Sequence, residues 1–545
     1  MAPLLLDAPH IHGVLTMIPR PLALITLCLS LASAVVHGQT IGLDPAFGHG
    51  GLVVSQFGPG ADAAQDLAIA PDGTLVAVGL ASFPGHDDFV IARYSADGQL
   101  IASVTVDFHP GELINDEARR VAVLPDGRIV VAGITASSRA GANYDIGLIR
   151  LLPTLELDST FGVDGKVITP FTGFSRVDGL AIDTNGRMIV SGAFGIRRYN
   201  ANGSVDATFG TGGVVTPVFS AQESTQGLAL QPNGRIVVIG IAFDQPASEL
   251  SLARFLSNGS LDATFGVNGK VFLSDFVAVP NAVAVQPDGR LIVAGTVLSG
   301  GAADFAVWRF EPNGQLDASF GTGGRVFTDF GGFEEARDIA LQPDGRIVAA
   351  GFTQRNGDPK STNFAVARYL ATGELDASFG SGGLVITDFF GEPDSANAVV
   401  IQPAGGIVLA GVAGNPNNGT DDVALARYAE APHEPPVIST PAASRSELWP
   451  PNHKLVNVTI AYTVTDDQNP APVCALSITS NEPVNGTGDG NRPPDWEVGD
   501  AHHVFLRAER SGSGNGRIYT VAITCTDAAG LQSQRRVLVS VPKSR

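Results

Sequence analysis

Along most of this chain, short runs of alternating apolar and polar residues follow one another between clusters of Gly, Pro, Asn and Asp. One stretch shows the pattern in full: "GRVFTDF" (Gly324 to Phe330) alternates, "ARDIALQ" (Ala336 to Gln342) alternates again, "RIVAAG" is a short apolar run, and "NFAVARY" (Asn363 to Tyr369) alternates once more. Period-two runs of this length, bounded by turn formers, predict β-strands rather than helices. Between the second and third runs stands Pro343-Asp344-Gly345, a tight hairpin turn in which Pro presets φ and Gly accepts a positive one.

The same four runs recur. The turn repeats at Pro71-Asp72-Gly73, Pro125-Asp126-Gly127, Thr184-Asn185-Gly186, Pro232-Asn233-Gly234, Pro287-Asp288-Gly289, Pro343-Asp344-Gly345 and Pro403-Ala404-Gly405. An Arg-aromatic or Arg-Leu pair keeps phase with it at Arg93, Arg150, Arg198, Arg254, Arg309, Arg368 and Arg427. Seven units of roughly 55 residues, each with four strands, predict an all-β fold, a seven-bladed β-propeller over 39–430. A β-solenoid is the alternative, but its coils are usually shorter and carry no hairpin. The linker "LDASFGTGG" (Leu316 to Gly324) recurs in most units and reads as the passage from one blade's last strand to the next blade's first. A copy, "GLDPAFG" (Gly42 to Gly48), precedes the first unit, and none follows Tyr428. The N-terminal segment is therefore expected to complete the ring. The second unit lacks the Phe-Gly of the linker and should make a different joint.

The elements "LDxxFGxxGxVxTxF", "QPDGRIVxAG" and "FAVARY", spread from Leu43 to Tyr428, resemble the bacterial delta-60 repeat, a propeller-like repeat of exported and surface proteins. The resemblance implies a fold and a compartment but no reaction.

After a Pro-rich linker over 431–441, the segment 442–545 holds further alternating runs and two cysteines, Cys474 and Cys525. This fits a small β-sandwich of immunoglobulin type. The stretches "ELWPPNHKLVNV" and "RAERSGSGNGRIYTVAITCTDAAG" are similar to immunoglobulin-like modules at the C-termini of bacterial surface proteins, which implies display or attachment. Asp466, Asp467 and Asp527 follow strand-like runs, with Asp489, Asp495 and Asp500 nearby. Such carboxylates at loop ends can hold Ca²⁺, which takes six to eight oxygens; solvated turn residues are the plainer reading. No other cofactor is called for.

Charge narrows the partners. Of 545 residues 16% are charged and 44% hydrophobic, and the net charge is −20. No basic stripe exists to attract nucleic acid or anionic lipid. Arg20 and the apolar run "PLALITLCLSLASAVV" predict an export signal over 1–38, with Met17 as an alternative start that leaves 1–16 an over-long extension. The run is short for a membrane span, and no other segment is long enough, so the mature chain is expected to lack a transmembrane segment. Cys28 falls inside the signal, and the even pair Cys474 and Cys525 then favours a disulfide in a secreted or surface protein.

No Gly-x-Ser-x-Gly, His-Glu-x-x-His or P-loop is present, and the ten His are scattered. The seven Arg, each near an Asp such as Asp317 or Asp376, read as one rim salt bridge per blade rather than as chemistry. The loops after first and third runs vary widely while the others are uniform, marking one face as the binding surface. The expected function is a non-catalytic binding or adhesion protein presenting those loops to a glycan or protein. A hydrolase or lyase in the channel and a structural spacer are the alternatives.

Overall fold

The computed structural model describes residues 42–544, except 137–143, 172–175, 221–222, 244–248, 275–276, 300–301, 356, 430–434, 467–471, 485–493, 512–514 and 527–530. The export signal over 1–38 and part of the linker over 431–441 lie outside the described residues. Among those described, the structure is almost wholly β, with a single turn of 3-10 helix at Pro359–Ser361. No helix among them is long and apolar enough to cross a membrane.

Seven antiparallel sheets are built on one plan. Their first strands are Asp62–Ile69, Asp116–Val123, Val177–Ile182, Glu223–Leu230, Val277–Val285, Gly332–Leu341 and Asp394–Ile401. These pack side by side in chain order, and the last lies against the first, closing a cycle. Four-stranded antiparallel sheets arranged in this way fit a β-propeller. In each sheet the first two strands are joined by the Pro-Asp-Gly turn or its variant. Gly73, Gly127, Gly289 and Gly345 there take φ from 83 to 89°, and Asp72, Asp126, Asp288 and Asp344 each accept the N–H two residues on.

The pairing corrects the expected phase of the repeat. Arg325–Thr328, the first run of its unit, pairs with Ala302–Phe310 of the unit before it, and the same shift holds for Lys166–Thr169, Lys270–Leu273 and Leu384–Thr387. The Leu-Asp-x-x-Phe-Gly linker therefore lies within one sheet, between its third and outer strands. The true passage between sheets is the loop after the outer strand. Alternation could not reveal this, because a period-two run says which face is buried and not which neighbour it pairs with.

The linker nevertheless joins neighbouring sheets, through its Arg. Arg150, Arg198, Arg254, Arg309, Arg368 and Arg427 each lie over the linker Phe (Phe161, Phe209, Phe265, Phe320, Phe379, Phe47), 4.6–4.9 Å from the ring centre. Each also meets the linker Asp (Asp158, Asp206, Asp262, Asp317, Asp376, Asp44) at 2.7–2.9 Å. Five of them donate to a carbonyl of the following unit, at Ala201, Ser257, Pro312, Ala371 and Ala96. These are buried guanidiniums, not the rim pairs expected from the sequence; Arg368 is 1% exposed. A planar guanidinium can stack, pair with a carboxylate and still have donors to spare, which Lys cannot do.

The seventh sheet takes its outer strands from the N-terminus. Gly42–Leu43 and Leu52–Ser55 both pair with Thr420–Ala429, and Arg427 finds its Asp and Phe in Asp44 and Phe47. The first sheet is the exception foreseen for the second unit. Leu100–Val106 follows a tight turn directly and pairs over most of its length with His86–Tyr94, while Arg93 turns to Asp72.

Beyond the repeats, Ala442–Ala443, Leu455–Ala461, His503–Arg507 and Trp496–Val498 form one sheet, and Val473–Ser480, Gly516–Thr526 and Gln532–Pro542 another. Val458, Ile460, Val504, Leu506, Val521, Ile523, Val539 and Val541 share one core. Cys474 and Cys525 are disulfide-bonded and stand directly opposite each other on adjacent strands of one sheet. The immunoglobulin bridge spans two sheets instead, so the cysteine spacing does not carry that comparison. Arg517, fully buried, meets Asp495 at 2.7 Å, Glu482 at 3.4 Å and Glu509 at 3.6 Å.

Arg427→Ala strands the Asp44 carboxylate and removes the stack on Phe47. It is expected to cost about 3–5 kcal/mol, read as a fall in denaturant midpoint, with amide exchange over 42–55 accelerating before that of the first strands. An unchanged midpoint would show that closure does not depend on this triplet.

Candidate binding channel

Every first strand carries a β-bulge near its middle. The extra residue is Gln65, Arg119, Asp178, Gln226, Asn281, Arg337 or Asn397, polar in all seven cases. A bulge leaves one residue out of the ladder and turns its side chain off the regular face. All seven line a cavity of about 370 Å³ enclosed by the first strands, with Arg120, Arg176, Val177, Val279 and Glu335. The cavity lies toward the beginning of those strands, the end that carries the variable loops.

Short hydrogen bonds tie these side chains to neighbouring sheets. Arg176 meets both Asp178 and Gln226, and Arg120 donates to the Asp178 carbonyl. Asn281 donates to the Ala336 carbonyl at 2.8 Å, Arg337 to Asn397 at 2.6 Å, and Asn397 to the Ala64 carbonyl at 2.7 Å. Arg and acid also pair along single strands, Arg119 with Glu117 at 3.0 Å and Arg337 with Glu335 at 3.6 Å. The wall is thus polar and rich in amides, with Arg119, Arg120, Arg176 and Arg337 set against the acids Asp178 and Glu335.

One residue further in, Gly179, Gly227 and Ala282 leave a second space of about 130 Å³, shared with Asp66, Arg120 and Asp338. Burial pushes the Asp338 carboxyl up to about 7, the neighbouring Asp66 adds to the rise, and Arg120 opposes it. Asp66 is raised chiefly by burial as well. Both carboxylates are occupied, however. Asp66 accepts the N–H groups of Leu67 and Val121, and Asp338 those of Ile339 and Val399. Each carboxylate thereby clasps its own strand to the next sheet's.

A second set of acids opens the first strands and holds the loops leading into them. Asp62 accepts from Phe57 and Gly58, Asp116 from Phe108, Glu223 from Val218, Phe219 and Ser220, and Asp394 from Phe389. Burial raises Asp116 to about 6 and Asp394 to about 7.

The bulged residues had not been singled out from the sequence. A signal for them exists: each stands seven positions before the middle residue of its turn, as Gln65 before Asp72 and Arg337 before Asp344. It is visible only once the bulge is known, because the polar residue otherwise passes for ordinary alternation. Of the residues expected to hold Ca²⁺, Asp466 is the one within the described residues. Asp467, Asp489 and Asp527 lie outside the described residues. Asp466 is half-buried with neither carboxylate oxygen partnered. Asp495 is taken up by Arg517, and Asp500 by His502 and His503.

The family described as a domain of unknown function (DUF5122) beta-propeller matches at 70–100, 124–161, 184–209, 231–265, 286–320 and 342–379. Together with the sheets this supports a β-propeller protein. No curated protein matches the chain. Among solved structures it is similar to PorZ, an essential bacterial surface component of the type-IX secretion system of Porphyromonas gingivalis. That likeness has 14% identity and a TM-score of 0.41, covering 87% of this chain and 59% of PorZ. It is also similar to the polysaccharide lyase Uly1, at 12% identity, TM-score 0.39, and coverage of 73% and 94%. A third is the α-L-arabinofuranosidase Arb93A of Fusarium graminearum, at 10%, 0.34, and coverage of 71% and 96%. Enzymes and a non-enzyme stand side by side, and no specific function follows from likeness this distant.

The raised acids give a signed pH dependence. Asp116, Asp338 and Asp394 bind protons more tightly folded than unfolded, so their stabilisation is full below about pH 4 and is lost as pH rises through 6–7. The Thr160 hydroxyl and Arg150 hold Asp158 at about 2. Against a burial that pushes upward, Thr264, Arg235 and Arg254 hold Asp262 at about 2. Those two contribute above pH 4 and lose their effect as pH falls toward 2. The thermal midpoint is expected to peak near pH 4, fall as the pH rises to about 7 and level off above it. Asp338→Asn should flatten that fall, and a midpoint rising steadily to pH 8 would contradict the assignment.

Proposed function

We propose that this chain is a seven-bladed β-propeller of the delta-60 type, exported to the cell surface or beyond, that binds a polar, glycan-like ligand at the channel mouth. A protein segment of similar polarity is the other partner kept from the sequence reading. The single observation that carries this is the convergence of seven polar bulged side chains on one cavity of about 370 Å³. That size falls in the range of small-ligand sites. Four amides, with four guanidiniums against two carboxylates, suit a ligand of many hydroxyls that is neutral or acidic rather than cationic. The cavity lies at the end of the first strands from which the variable segments depart, so the propeller face inferred from the sequence and the cavity share one end of the sheets. The residues over 442–545 are read as an immunoglobulin-like attachment module in layout, with its own placement of the disulfide. The disulfide is compatible with an oxidising compartment.

A second reading has one observation in its favour: Asp338, at about 7 beside Asp66 and Arg120, has the proton affinity of an acid catalyst for a hydrolase or lyase. Against it, all four oxygens of the pair already accept backbone N–H groups.

The test is binding of the chain to a polysaccharide and oligosaccharide panel, alongside Gln226→Ala/Asn281→Ala. Loss of two hydrogen-bonding side chains should weaken binding about 30–150-fold, from about 1–1.5 kcal/mol each. Binding lost on trimming the loops but unchanged in the double variant would move the site out of the channel. Turnover of a panel sugar that Asp338→Asn abolishes would replace the binding reading with the catalytic one.

A further inference from the structure

Two groups of three carboxylates stand at the loop end of the sheets, each bringing one oxygen per residue within 4.8 Å of the others. One is Asp88, Asp107 and Asp116, between the first and second sheets. The other is Asp304, Asp329 and Glu334, between the fifth and sixth. They arise from the same positions of the repeat: a third-strand residue, the residue after the outer strand, and the acid opening the next first strand.

The groups differ in what neutralises them. In the first, Lys166 donates to the Asp107 carbonyl at 2.6 Å and its charge acts on Asp88. His86 lies 3.7 Å from Asp88, and the charge of His109 acts on Asp116. In the second, the charge of Asp329 repels both Asp304 and Glu334, those two carboxyls lie within hydrogen-bonding reach of each other, and no cation among the described residues acts on either. The outer strand of the sixth sheet begins with Leu384 where that of the second begins with Lys166.

Glu334 is the decisive member. It is 0% exposed. Its Oε1 accepts the Gly332 N–H at 2.6 Å and the Thr353 hydroxyl at 3.1 Å, while Oε2 has no donor among the described residues. A buried carboxylate oxygen left without a donor costs several kcal/mol unless something satisfies it, and the groups facing it are two more acids. We propose that Asp304, Asp329 and Glu334 form a site for a divalent cation of the calcium type, clamping the loop between the fifth and sixth sheets. All three are hard oxygen donors. Ca²⁺ takes six to eight such ligands at 2.3–2.6 Å in flexible geometry, with bidentate carboxylates and water completing the shell. The site lies behind the channel wall, since Glu334 faces the loop while Glu335, its neighbour, lines the cavity. It therefore stands or falls independently of the channel ligand.

The experiment is calorimetric titration of CaCl₂ into the chelator-treated full chain, with thermal midpoints measured in calcium and in chelator. Saturable uptake is expected with a Kd of about 10⁻⁴–10⁻³ M, the range of extracellular calcium modules, and a raised midpoint in calcium. Asp329→Asn, at an exposed position, should weaken that uptake at least about tenfold and leave the midpoint in chelator unchanged. Asp304→Asn gives a second reading should Glu334→Gln fail to fold, and Asp107→Asn in the first group should leave the uptake as it was. No saturation, or saturable uptake that Asp329→Asn and Asp304→Asn leave unaltered, would overturn the site and point to diffuse attraction to the acidic surface.

Discussion

The stacking of one arginine on one phenylalanine, with an aspartate at its edge, is the interaction on which the ring depends. It occurs six times, buried each time, and in five of them the guanidinium also donates to the following sheet. A sheet of four short strands has little reason to stay beside its neighbour except packed side chains. Here each neighbour is also addressed by a charged donor that would be costly to leave unpaired. The arrangement is cyclic: Arg427 receives its aspartate and phenylalanine from Asp44 and Phe47 at the other end of the repeats. Native pairing of the seventh sheet thus requires contacts nearly 400 positions apart, the slowest kind to form, and the ring is complete only when the N-terminal segment docks.

Closing seven sheets around an axis brings their first strands together, and the bulge decides what those strands show one another. Regular alternation would aim small apolar residues at the axis. The extra residue at Gln65, Arg119, Asp178, Gln226, Asn281, Arg337 and Asn397 puts amides and charges there instead. Several reach across to the next strand, so one set of side chains both joins the sheets and furnishes a polar cavity. Asp66 and Asp338 carry the point further. Their high proton affinity has the look of catalytic acids, yet their oxygens are spent on backbone N–H groups of adjacent strands. Burial raises such a group whether or not chemistry uses it.

The C-terminal residues follow different rules. Their core is apolar and shared between two sheets, but Arg517 lies within it, held by Asp495, Glu482 and Glu509. Desolvation offsets much of what such a buried cluster gains, so its net stabilisation is small, while removing one partner would leave a costly unpaired charge. The disulfide, lying across adjacent strands, reinforces one sheet and does not tie the two together.

The residue pattern by itself determined that the repeats and the segment after them are β, that the plan repeats, where the hairpin turns fall, and that the N-terminal "GLDPAFG" serves the seventh unit. These are local matters: alternation, turn chemistry and repetition act within a dozen residues, and Gly73 or Gly345 is legible from its neighbours alone. Only the tertiary structure decided that the first run of each unit belongs to the sheet before it, that Arg368 and its fellows are buried, and that Gln226 or Asn281 faces a channel. Each of these depends on which segment lies alongside, and period-two alternation is equally satisfied by any partner of the right polarity. The acids at Asp304, Asp329 and Glu334 show the same division. Their types can be read along the chain, but their approach to one another exists only once the loop between two sheets has been folded back.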